Sequence, residues 1–105
     1  MSDEPGPGPP GIDRDLEMMT SGVEALRALA SDTEKAQDGA RVYDFSIRWG
    51  VLLSGRLKRL EHYYQAEALT DDQVQRYREL RHELKDAAPQ IERLGVAEPT
   101  APLED

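Results

Sequence analysis

The chain has 105 residues, 38% of them apolar and 32% charged, with a formal net charge of −8; this balance fits one small water-facing domain and excludes fibrous and membrane-embedded classes. There are no cysteines, so disulfides, thiolate nucleophiles and zinc–thiolate sites are excluded. No apolar run comes near the roughly 18 residues that a transmembrane helix needs, and the longest near-continuous one, Trp49 to Leu53, contains a glycine.

The charge is unevenly spread. Residues 1–38 carry three basic and nine acidic side chains, a net −6, whereas residues 39–67 carry five basic and three acidic, a net +2. Residues 68–95 are close to balanced, and residues 96–105 add three acids. The middle of the chain is thus the basic part of an acidic molecule, the opposite of the bias expected of a nucleic-acid binder. The first eleven residues hold acids and prolines where a secretory leader would be basic and then apolar, so the expected location is cytoplasmic.

Pro5, Pro7, Pro9 and Pro10, interleaved with Gly6, Gly8 and Gly11, are incompatible with a helix or a core, and residues 1–11 are expected to be disordered. From Ile12 the pattern changes. Ile12, Leu16, Met19, Val23, Leu26 and Ala30 recur at steps of four and three and predict a helix over about 12–30. Asp13, Asp15 and Glu17 suit its start, where the helix dipole favours negative charge, while Gly22 weakens its middle. Residues 31–39 form a polar connection with room for one helical turn from Asp32.

The next segment is the most apolar. Tyr43, Phe45, Ile47, Trp49 and Val51 alternate with polar residues as in a strand, but Val42, Phe45, Trp49, Leu52, Leu53, Leu57, Leu60 and Tyr64 fit a helix that continues after the alternation fails. With no second strand to pair, the segment reads as one helix over about 40–65, close to 39 Å long at 1.5 Å per residue. Its first half has two apolar faces: Val42, Phe45, Trp49 and Leu52 on one, Tyr43, Ile47 and Val51 on the other. Ser46, Gly50 and Ser54 lie between them at steps of four, a stripe of small residues that allows a second helix to approach closely.

Thr70 followed three residues later by Gln73, with Leu69 and Val74 flanking, is the signature of a capping box with its hydrophobic staple. It opens a third helix over about 71–94, kinked or broken at Pro89 and closed by Gly95 as the C′ residue. The acidic tail, 96–105, is expected to be flexible.

The short connection before Thr70 implies an antiparallel hairpin, in which Leu53 meets Leu84, Leu57 meets Leu80 and Leu60 meets Tyr77. The same register places Trp49 opposite Ala87, Ala88 and Pro89, whose small side chains leave room for an indole. The expected fold class is all-α: an antiparallel three-helix bundle whose first helix covers the Tyr43, Ile47 and Val51 face, or a long helical hairpin with a shorter N-terminal helix that dimerises through that face. The helical domain spans 12–95.

Candidates for chemistry are few. His62 and His82 fall far apart along the hairpin, so no metal site is expected. Asp71 with Asp72 belongs to a helix start, and Glu79 with Glu83 sits on a face of alternating charge. No serine has a positioned histidine and acid, and no glycine-rich loop follows a strand. Neither catalytic residue nor cofactor is indicated, and the expectation is a non-enzymatic module. It would work by protein–protein contact, with a second copy of itself or a regulatory partner, through Tyr43, Ile47, Gly50, Val51 and Ser54. The alternative is a small helical enzyme or ligand-binding bundle in which Arg41, Arg48, Arg56 and Arg59, within roughly 80° of one another on the central helix, hold an anionic metabolite. The same arginines could instead pair with the acids of the first helix.

Overall fold

The computed structural model describes residues 8–103, and residues 1–7 and 104–105, which fall in the segments expected to be disordered or flexible, lie outside it. Among the described residues the chain is all-helical and has no strand. Helix α1 runs Ile12–Ser31 and a single turn, α2, runs Thr33–Ala36. The central rod then comprises α3, Gly39–Val51, a π-helical turn, Leu52–Leu57, and α4, Lys58–Gln65. Helix α5, Asp71–Asp86, and the short α6, Ala88–Leu94, complete it.

Local chemistry places the boundaries. Asp32 caps α2 by accepting from the Lys35 amide, and Asp38 caps α3 by accepting from the amides of Ala40 and Arg41. At α5 the Thr70 hydroxyl accepts from the Gln73 amide and the Gln73 side chain accepts from the Thr70 amide, the reciprocal pairing their spacing announces. The third helix breaks at Ala87 and restarts with Pro89 in its first turn, where no amide donor is needed. Gly95 takes the left-handed conformation that ends α6.

The π turn has a packing cause. Phe45, Trp49, Leu53 and Leu57 are all buried and lie four residues apart, and in an α-helix each four-residue step overshoots a full turn by about 40°. The wider π turn absorbs that drift, so Leu57 and Leu60 continue the face that Trp49 began.

Helix α1 lies against the π turn, α5 and α6, and its stripe of Ile12, Leu16, Met19, Val23 and Leu26 is almost wholly buried. The core joins this stripe to Trp49, Leu53, Leu57 and Leu60 and to Tyr77, Leu80, Leu84 and Ile91. Fully burying such an aliphatic or aromatic side chain contributes about 1.5–3 kcal/mol. Gly22 marks the closest approach: a Cβ there would lie 2.7 Å from Leu52 Cδ1 and 3.7 Å from the Trp49 ring.

One expectation is overturned here. Helix α1 does not cover Tyr43, Ile47 and Val51, which stay more than half exposed; it packs on the Trp49 and Leu52 side, where burying the Trp49 indole removes more apolar surface from water than any residue of the other face would. The described parts of the terminal segments make specific contacts with the helices. Gly8 abuts the Gln73 side chain, and the Pro10 carbonyl accepts from Arg59. Val96 is buried, and the Ala97 carbonyl accepts from Trp49 Nε1 at 2.7 Å. A buried indole N–H requires an acceptor, and the segment after Gly95 supplies it.

Candidate functional site

On α3 the residues at 45 and 49 face inward, and those at 43, 47 and 51, about half a helical turn round, face out. Tyr43 is 65% exposed, Ile47 51% and Val51 65%. They form a line of three apolar side chains, spaced one turn apart, directly opposite the core. Among the described residues, Met18 of α1, 37% exposed, is the other large apolar residue left open.

The small residues beside this line are turned to it in a particular way. Ser46 donates its hydroxyl to the Tyr43 carbonyl at 2.7 Å, and Ser54 donates to the Val51 carbonyl. Their polarity is spent on their own helix, which leaves methylene surface outward. A Cβ built on Gly50 would meet nothing within 4 Å, so no contact among the described residues requires a glycine there.

Between α3 and α1 the surface dips into an open groove of about 470 Å³. Met18, Ser21, Gly22 and Ala25 form one wall, Ile47, Val51 and Leu52 the other, and Arg48 and Arg56 border it. The contribution of α1 escaped sequence reasoning. Met18 lies off the buried stripe of that helix, and this was the one signal that could have pointed to it.

The four arginines fare differently from one another. Arg56 donates to Asp15 Oδ1 and Arg59 to Asp15 Oδ2, each at 2.8 Å, and the Asp15 side chain is only 5% exposed. One carboxylate of α1 therefore holds both, an arrangement in which two charge-assisted hydrogen bonds make the burial of the acid tolerable. Arg41 pairs with Asp38 at 3.4 Å on the surface. Arg48 makes no ion pair among the described residues, and neither does Asp44 one turn before it, although their spacing would permit one.

The remaining polar groups hold the helices together. Asp13 of α1 accepts from Gln73 and Arg76 of α5. Tyr77, fully buried, donates its hydroxyl to Glu61 at 2.9 Å, and the Tyr64 ring lies 5.0 Å from that of Tyr77 with Arg81 stacked over it. Burial, and then the hydrogen bond to the Glu61 carboxylate, push the Tyr77 phenol well above its ordinary value of 10.0. His62 packs its ring edge-on to Tyr63, while His82 faces Asp86 on the same helix. Among the described residues no group of His, Asp and Glu could hold a metal ion, and no helix is long and apolar enough to cross a membrane.

Comparison with protein-family models, curated proteins and solved structures finds no match, and the functional reading is carried by the geometry.

Proposed function

We propose that the chain is an antiparallel three-helix bundle that serves as a protein–protein interaction module, with the outward face of α3 as its contact surface. The observation that carries this is the line of Tyr43, Ile47 and Val51, all more than half exposed. Exposed apolar residues scattered singly are ordinary, but three in register on one helix, beside a groove and a fourth in Met18, form a contiguous patch of the kind that marks a docking surface. Gly50 and the inward-bonded Ser46 and Ser54 supply the flat flank over which a helix would lie. The module would act in the cytoplasm without cofactor, with another protein or a second copy as its partner.

The ligand-binding alternative has less support. Arg56 and Arg59 are engaged by the buried Asp15, and drawing them to a small anion would leave that carboxylate uncompensated.

Site-specific photo-crosslinking tests the proposal. A photoreactive residue at Val51, introduced in cells that make the protein, should give discrete protein adducts, whereas one at exposed Glu92 on α6 should give none. Equal yields at the two positions would refute it.

A further inference from the structure

The reading of the α3 face as an interface leaves open what covers it. Resting on that reading, we infer that a second copy of this chain does, packed antiparallel across a two-fold axis that passes near Ile47.

The steric pattern is the first argument. Tyr43, Ile47 and Val51 follow one another at intervals of about 6 Å along the helix. The largest of the three is at one end, and at the other Gly50 sits beside Val51 with open space where its Cβ would be. Turning a copy about an axis through Ile47 lays the Tyr43 ring of each chain over Gly50 and Val51 of the other. Large meets small twice, which is what an isologous interface requires.

The charges are the second and independent argument. Asp44 and Arg48 are exposed and lie on the same flank of the apolar line, and neither side chain has an ion pair or hydrogen bond among the described residues. In an antiparallel helix pair each flank faces its own counterpart, and residues meet when their numbers sum to about twice that of the residue on the axis. With Ile47 on the axis, Asp44 of each copy comes within side-chain reach of Arg48 of the other. Two reciprocal ion pairs form from groups that have no ion pair among the described residues of the single chain. A partner of one charge sign would be met by a face of the other sign. This face instead carries one of each, in an order that complements its own reverse. It also lies in the one stretch of the chain that is not acidic, residues 39–67 at net +2, where two copies of a −8 molecule repel least.

Sedimentation of the full chain over a concentration series, with two charge reversals, tests this. Wild-type protein should pass from monomer to dimer. Asp44→Arg sets arginine against arginine at both contacts and Arg48→Asp sets acid against acid, and each should weaken the dimer about tenfold. An equimolar mixture of the two variants pairs opposite signs at both contacts and should return to wild-type association, which requires that positions 44 and 48 of one copy face those of the other. Ile47→Asp, which faces itself across the axis, should abolish the dimer. All three positions are exposed, and unchanged helical circular dichroism confirms that the fold is intact. A wild-type chain that stays monomeric throughout, reversals without effect, or a mixture no stronger than its components would overturn the inference. A monomer that still crosslinks to a different protein through Val51 would overturn only the identity of the partner. A monomer with no adduct at Val51 would overturn the interaction module as well.

Discussion

Replacing Gly50 by alanine separates what the single chain needs from what its contact surface needs. Glycine within a helix costs about 0.8–1.0 kcal/mol relative to alanine, through backbone entropy lost on folding. At Gly50 nothing offsets that cost within the chain, because an added Cβ would have no neighbour within 4 Å. Gly50→Ala should therefore raise the stability of the monomer by about 1 kcal/mol, or about 4–8 °C in melting temperature for a domain of this size. Gly22→Ala is the internal control: its Cβ would lie 2.7 Å from Leu52 Cδ1, and pushing that methyl aside should cancel most of the same propensity gain. The assay is thermal unfolding by circular dichroism at low protein concentration. Repeated at high concentration, the gain from Gly50→Ala should shrink, since the new methyl would occupy the space that receives Tyr43 of the proposed second copy. A Gly50→Ala protein that is less stable than wild type when dilute would refute the reasoning, because it would mean that the glycine serves the fold.

The polar groups of the interior give two further expectations. Arg56→Ala with Arg59→Ala strips both cations from Asp15, whose side chain is 5% exposed; because the arginines themselves are a third or more open to water, the loss should be about 2 kcal/mol, below that of a wholly buried pair. Adding Asp15→Asn should recover more than half of it in urea unfolding, and strict additivity of the three changes would count against a shared network. Tyr77 gives a pH dependence. Its phenol is held above the ordinary 10.0 in the folded chain, so above that pH the unfolded chain gives up a proton that the folded chain keeps. The unfolded state then binds fewer protons, and stability should fall as pH rises past about 10, by up to about 1.4 kcal/mol per pH unit. Tyr77→Phe should flatten that limb by one proton, and an unchanged slope would show that the phenol is not what the folded state protects.

The all-helical class was legible because the period of 3.6 persists where the competing period of 2 fails, after Val51. Thr70 and Gln73 announced the start of α5 from three residues of spacing, since a capping box is a local device that needs no tertiary context. What covers α3 was not legible. Both of its faces are apolar, and periodicity assigns no preference between them. The choice falls to shape, through the contact of Gly22 with Leu52 and Trp49 and through the π turn that keeps Phe45, Trp49, Leu53 and Leu57 on one line. Neither can be read from hydropathy. Asp15 shows the same limit in another form. In sequence it is one acid among three at a helix start, where solvent exposure is the default. It is buried because Arg56 and Arg59, more than forty positions later, are brought over it by the π turn. The arginine stripe was visible as a pattern, but its partner depended on the packing of α1 against the rod.

The absence of cysteine makes one measurement especially direct. Ile47→Cys places a single thiol beside the proposed two-fold axis, where the Cβ atoms of two close-packed helices come near disulfide range. Under mild oxidation it should form a covalent dimer rapidly and at low concentration, and a Glu79→Cys control, exposed on α5, should not. Crosslinking of Ile47→Cys no faster than that of Glu79→Cys would contradict the claim that α3 meets its own copy.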